Sequence, residues 1–335
     1  MDDVMKDDVK GPDVETIYSA LEVACRAPSV HNTQPWRWVI APHSLHLFAD
    51  SARRLPVIDA SGRELIISCG ATLHHVRSAF RALGWRADAH RLPNPADRDH
   101  LAALEFAPLP RIDSRSVRLV TASSQRHTDR RPYLPDRVPT DLLDRVAGAA
   151  NAEHVRVTPV LDATHRRDLM VALAQANTAQ RENPMYKAEL SEWSHRHLGA
   201  VEGVPAAAVP MSNPLHRGMP GREFDGGELD SPPALDDGAS LMVLSTGSDD
   251  KLDWLRAGEA LSAALLVATS VGLATCTLSQ VGEVRSVRDL VRHTVLHDVS
   301  EPQLVIRLGW PATADYPGPE TPRRPMSDIV SNWDE

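Results

Sequence analysis

Apolar residues recur along this chain at two spacings. Over residues 14–26, Ile17, Leu21 and Ala24 stand at i, i+4 and i+7, the stripe of an amphipathic helix, and Pro12 and Asp13 supply its start. The same periodicity predicts helices over 64–83, buried along one side, and over 140–150, 166–181, 184–195 and 252–271. A short helix is expected around 98–104. Shorter apolar runs bounded by turn residues predict strands at 36–41, 45–48, 85–92, 115–122, 155–161 and 241–246. Between His195 and Leu241 both periods lapse into Gly, Pro, Asp and Ala. A long irregular excursion is expected at 196–240, and connections of that length in a compact domain are commonly lids or linkers.

The helical pattern also repeats. Gly70, Leu73 and Gly84 return as Gly258, Leu261 and Gly272, each displaced by 188 positions (258−70, 261−73, 272−84). Both windows read as helices running into glycine, which reaches the left-handed conformation at a helix end without a Cβ penalty. Two unrelated helices ending in glycine would look the same at this resolution of pattern. A chain of 335 residues holds roughly two domains or one intertwined unit. The expected organisation is a disordered acidic leader at 1–12, one half at 13–122, and a second half at 123–335 that carries the excursion.

Composition narrows the function. With 42% hydrophobic and 24% charged residues the chain sits near the soluble globular average. A net charge of −9 argues against a general nucleic-acid binder, which carries a clustered basic face. Basic residues are nearly all Arg, with Lys only at Lys6, Lys10, Lys187 and Lys251. Cys25, Cys69 and Cys276 lack paired spacing, as expected in a reducing compartment. No signal-peptide pattern and no apolar run of membrane-spanning length is read, so a cytoplasmic protein without a membrane partner is expected. Histidine pairs such as His43/His46, His74/His75 and His195/His197 invite a metal reading, but no H-E-x-x-H or zinc-spaced cysteine joins them. Neither G-x-G-x-x-G, nor a P-loop, nor a G-x-S-x-G elbow occurs.

Four short segments carry the chemistry. They are Pro28-Ser29-Val30-His31-Asn32-Thr33-Gln34-Pro35-Trp36, Arg126-His127-Thr128-Asp129-Arg130, Gly272-Leu273-Ala274-Thr275-Cys276-Thr277-Leu278-Ser279, and Pro322-Arg323-Arg324-Pro325. Together they resemble the P-S-x-x-N-x-Q-P-W, R-x-S/T-x-R, G-L and R-x-P segments of the FMN-dependent nitroreductase family. The likeness is greatest to its fused, double-length Acg-like members from actinobacteria, and it spans the chain apart from the leader and 196–240. It implies an α+β fold of two pseudo-symmetric halves, each an antiparallel-rich sheet flanked by helices, fused as an intramolecular mimic of the family homodimer. In that family R-x-S-x-R of one subunit and P-S-x-x-N of the other build each site. Here the first half has P-S-x-x-N without R-x-S-x-R before it. The second half opens on Arg126-x-Thr128-x-Arg130 and carries Ala149-Ala150-Asn151-Ala152-Glu153 where P-S-x-x-N is expected. One complete composite site per monomer follows, with further dimerisation left open.

The resemblance implies FMN as cofactor and NAD(P)H as co-substrate. Arg126, Arg130, Arg323 and Arg324 are fork-shaped donors suited to phosphate, with the Thr128 hydroxyl beside them; arginines in turns are otherwise solvated charges. Asn32 offers donor and acceptor to the ring's pyrimidine edge. Pro28, Ser29 and Val30 bring backbone close to the ring, although Pro-Ser also serves as an ordinary helix stop. His31 faces the flavin or caps the preceding helix. Thr277, Leu278, Ser279 and Gln280 follow the flavin-facing edge, and Gln280 departs from the glycine many relatives place near this position, crowding the face where nicotinamide stacks. Cys276 reads as a small buried residue. The flavin carries the redox chemistry, so no catalytic side chain is assigned. The implied reaction passes hydride from NAD(P)H through FMN to a nitroaromatic or quinone-like acceptor. A flavin-storage protein with little turnover, its FMN closed over by a lid at Met211 to Glu228, is the alternative. Flavin cleavage as in BluB-like relatives is a third.

Overall fold

The computed structural model describes residues 11–194, 200–211, 220–231, 237–313 and 320–333. The expected leader lies outside the described residues as far as Lys10, and so does 212–219 of the expected lid.

The first half begins with α1 (Val14–Ala24), whose Asp13 side chain accepts from the Thr16 N–H and whose Ile17, Ala20, Leu21 and Ala24 face inward. Strands β1 (Trp36–Ile40) and β2 (Ser44–Ala49) form an antiparallel pair. After α2 (Arg63–Ala82) come β3 (Trp85–Arg91) and β4 (His100–Pro108). Helix α3 (Ser114–Gln125) leads into the second half, running through the expected junction at 122–123. There α4 (Thr140–Asn151) and β5 (Arg156–Pro159) precede α5 (Ala163–Glu182) and α6 (Pro184–Trp193). Then follow β6 (Ser240–Thr246), α7 (Lys251–Ser270), β7 (Ala274–Leu278), α8 (Gln280–Glu283), α9 (Arg285–Thr294) and β8 (Glu301–Gly309). The last strand, β9 (Val330–Asn332), returns to the first half.

The sheets have the orders β3-β4-β2-β1-β9 and β5-β6-β8-β7. With β9 set aside, each half places its third, fourth, second and first strands in that order, all antiparallel. The β9 strand pairs with β1 in parallel, Trp38 opposite Val330, so the expected halves exchange an element.

The halves join through α2 and α7. A Cβ on Gly70 would lie 2.0 Å from the Leu255 carbonyl oxygen, and one on Gly258 would lie 1.9 Å from the Ile67 carbonyl oxygen. Leu255 and Ile67 are themselves 188 positions apart, so the helices cross at matched points of the repeat. Only glycine permits this approach. Beside the crossing the His74 ring bonds Ser262 Oγ at 2.7 Å. The helix ends reach across as well: Arg63 donates to the Pro302 carbonyl at 2.7 Å, and Lys251 Nζ to the Arg98 carbonyl at 2.8 Å.

Three expectations need correction. Residues 115–122 are helical, not a strand: Asp113 caps the turn through the Arg115 N–H, and the inward positions Ser116 and Ser123 are too polar to mark a stripe. Residues 98–104 are no helix; they run into β4, which β2 and β3 flank, and an Ala/Leu run there is buried by pairing rather than by helical packing. Helix α2 is buried on nearly every side, not along one, because α1, α3, α7 and the first sheet pack around it. The sequence pattern marks none of β7, β8, β9, α8 or α9.

Candidate functional site between the two halves

The residues that open the site are backbone-constrained. Ser29 Oγ accepts from the Gln34 N–H at 3.0 Å, and the Val30 N–H donates to Ser68 Oγ of α2 at 3.1 Å. Between these anchors His31, Asn32 and Gln34 take positive φ of 46°, 55° and 49°. Non-glycine residues rarely adopt that region, and such strain clusters where the surroundings force a geometry. The 126–130 segment is laid along the free edge of β7, where Thr128 bridges Thr275 in parallel and the Asp129 N–H donates to the Thr275 carbonyl at 2.9 Å.

These pieces converge. A cavity of about 960 Å³ is lined by Pro28, Ser29, Val30 and His31 from the first half, and by Thr128, Arg130, Thr277, Leu278, Ser279 and Gln280 from the second. A smaller one of about 70 Å³ shares Pro28, Ser29, His31, Thr128 and Arg130 with it and adds Asn32, Arg126 and Arg323. Of the residues expected at the site, Arg324 alone lines neither. Its guanidinium lies 3.6 Å from Asp50, donates to the Gln34 and Asp328 carbonyls, and thereby ties the C-terminal arm to β1's approach.

The cationic groups are buried and donate to backbone carbonyls. Arg130 donates to the Ala208 carbonyl at 3.0 Å and sits 5.0 Å over the Phe224 ring. Burial, with Arg222 nearby, lowers its pKa, and among the described residues no carboxylate forms an ion pair with it. Among the described residues Arg323 donates to the Cys25, Arg26, Thr321 and Pro322 carbonyls with one N–H left over, and burial next to Arg26 brings it down to about 10. Arg126 donates to the same Arg26 carbonyl. A dianionic group beside these three would be held by charge-assisted bonds.

Asn32 behaves differently from expectation. Its Nδ2 donates to the Gly203 and Pro322 carbonyls, both at 3.1 Å, so its donors serve the walls. The His31 ring is 7% exposed, and its Nε2 finds no partner among the described residues. Burial first, then Arg222 and Arg130, hold it well below the usual histidine pKa, so it is neutral. Gln280 turns toward α5, donating to Asn177 Oδ1 at 3.1 Å. Cys276 is buried, and burial raises its thiol.

The described parts of the excursion form one wall. Its 201–202 stretch is pinned to the first half by Gln34 Nε2 on the Val201 carbonyl and by an Arg53–Glu202 ion pair. Val209, Pro210, Met211 and 220–226 line the large cavity, and Phe224 meets His31 edge-on at 6.0 Å. Arg222 is the anchor: it bonds Glu283 at 2.5 Å, Ser279 Oγ at 3.1 Å and the Tyr186 hydroxyl. Asn177 Nδ2 holds the adjoining Gly221 carbonyl at 2.6 Å. Arg222, Glu283, Phe224, Asn177 and Glu64 all escaped the sequence reading. Arg222 and Phe224 sit in a stretch without periodicity, and the others look like ordinary helix residues.

Among the described residues no cluster of three His, Cys, Asp or Glu side chains could hold a metal, and no helix is long and apolar enough to cross a membrane.

The description "Nitroreductase family" matches residues 124–310. A Mycobacterium tuberculosis protein named "Putative NAD(P)H nitroreductase" is 44% identical over 328 residues, 97% of this chain and 93% of its own length. A second from that organism, whose name adds "acg", is 37% identical over 320 residues, covering 94% and 95%. Among solved structures, the FMN-dependent nitroreductase NfnB from Mycobacterium smegmatis in complex with NADPH aligns with a TM-score of 0.40 at 18% identity, over 64% of this chain and 98% of that one. By full-length identity to these relatives and the match across its second half, the chain belongs to the nitroreductase family.

Proposed function

We propose that the chain is an FMN-binding oxidoreductase that passes reducing equivalents from NAD(P)H to a nitroaromatic or quinone-like acceptor. One observation carries this: the 28–31, 128–130 and 277–280 segments, far apart in sequence, wall one cavity of about 960 Å³ beside a buried arginine cluster. That volume falls in the range of cofactor pockets. The residues present suit FMN. Arg126, Arg130 and Arg323 would hold the phosphate in the smaller recess, while Pro28, Val30, Ile67 and Leu278 give the larger one the apolar walls a flat ring needs. Once bound, the flavin supplies the two-electron chemistry; the chain's share is to bind it, orient it and exclude water.

One FMN is expected per chain, since only the first half carries P-S-x-x-N and only the second R-x-T-x-R. Flavin absorbance against protein after gel filtration measures the ratio, and a value near two refutes the composite-site reading. Arg130→Ala should weaken FMN binding on the order of tenfold to a hundredfold by loss of a charge-assisted bond. Unchanged occupancy with an intact fold would remove this residue from the site. Bleaching of the flavin by NADPH and its recovery with a nitroaromatic would establish turnover.

A second reading, flavin storage with slow turnover, is favoured by the Arg222 anchor. In this reading 220–226 is a lid held over the cavity by Glu283, Ser279 and Tyr186, and reduction waits on its opening. Arg222→Ala should then speed flavin reduction by NADPH roughly tenfold, through loss of about 1.5 kcal/mol of charge-assisted bonding, while FMN stays bound. Stopped-flow reduction at the wild-type rate would show that this segment is no gate.

A further inference from the structure

Glu64 is the second residue of α2, at the wall of the large cavity, and nothing in the sequence marks it. It is 4% exposed, and its Oε1 has no hydrogen-bond partner among the described residues. A buried carboxyl oxygen left unpaired is costly, and sites that retain one commonly reserve it for a ligand. Space is kept for it by Gly282, where a Cβ would come within 3.2 Å of Oε1. Asn32, expected at the ring's pyrimidine edge, does not line this cavity, and its donor bonds go to the Gly203 and Pro322 carbonyls.

We propose that Glu64 is a ligand-binding residue of this cavity, its carboxyl hydrogen-bonding an imide-type edge, an N–H beside a C=O, of the bound flavin. This rests on the FMN reading. A carboxylic acid presents one O–H donor and one carbonyl acceptor side by side, complementary to an imide. A carboxylate would match only the N–H and would face the carbonyl with like charge. The surroundings hold the acid form: burial dominates, and Glu283 of α8 and Asp59 before α2 add to it. The opposing cations, Arg63 on α2 and Arg222 on the excursion, are engaged elsewhere, Arg63 with Gln303 and the Gly282 and Pro302 carbonyls, Arg222 with Glu283.

The sign of the pH effect follows. Because the neutral acid is the binding form and its pKa is raised, FMN affinity should fall as pH rises through that pKa. Titration of the apoprotein with FMN, followed by quenching of flavin fluorescence, tests this across the pH range in which the fold is intact. Glu64→Gln, neutral with donor and acceptor kept, should bind FMN nearly as well as wild type and lose the dependence; any dependence due to FMN itself persists in it. Glu64→Leu should bind on the order of tenfold more weakly. Its apoprotein should be at least as stable to urea as wild type, since an unpaired buried acid has been removed. Equal affinity in all three proteins, or a Glu64→Leu loss matched by an equal loss of apo stability, overturns the assignment. If wild type takes up no FMN, the flavin reading falls and this inference with it; if wild type binds and the variants are indistinguishable, this inference falls alone.

Discussion

Gly258→Ala is expected to lower stability by more than about 3 kcal/mol, or to prevent folding. Overpacking a core ordinarily costs ~1–3 kcal/mol because neighbouring side chains can shift. Here the added methyl would meet the Ile67 carbonyl oxygen at 1.9 Å and the Gly70 Cα at 2.8 Å, both backbone atoms of α2. Relief requires the two central helices to separate, and α2 carries the Ser68 and Glu64 positions of the cavity wall. Gly148→Ala is the comparison: a Cβ there meets nothing within 4 Å, and the residue lies inside α4. Alanine's better helix propensity should stabilise it by up to ~1 kcal/mol. Urea unfolding of both variants reads the difference, and equal midpoints would show that the crossing can relax.

The neighbouring residue should be nearly as sensitive for the opposite reason. Glu259 is fully buried, and its carboxylate takes Arg77 at 2.6 Å together with Arg91 at 2.6 and 2.9 Å. Glu259→Gln leaves two guanidinium groups facing a neutral amide. Breaking a buried ion pair from one side costs about 3–5 kcal/mol, since the orphaned charge stays desolvated. The lower end is expected, because Arg77 keeps Glu153 at 2.9 Å. Thermal and urea unfolding measure it; a change below about 1 kcal/mol would mean that water reaches the arginines.

Elements with a clear period were legible in the sequence. Helices α1, α4, α5 and α7 and strands β1, β2, β3 and β6 stand within a few residues of expectation. The failures share a cause. In α3 small serines face the core, and in β4 an Ala/Leu run is buried by neighbouring strands, so side-chain polarity and propensity mislead in opposite directions. At the site, the motif residues Pro28 to His31, Thr128, Arg130 and Thr277 to Gln280 reach one cavity because the 126–130 segment rides on the edge of β7, a contact no local pattern encodes. Arg324 stands next to Arg323 in sequence but turns to Asp50. Glu64 and Arg222 were invisible because their meaning depends on what lacks a partner and what has three.

The His74–Ser262 bond bears on how such a molecule can change over time. Positions 74 and 262 occupy matching places about the helix crossing, 188 residues apart, as Gly70 and Gly258 do. Two identical chains around a true twofold axis would meet there as His with His or Ser with Ser, and any substitution would strike twice. A single chain can set a ring against a hydroxyl and alter one without the other. The same freedom extends outward from the seam: one side is at liberty to keep Arg126 and Arg130 while the other keeps the 28–32 segment, a division of labour that a homodimer's sequence cannot write.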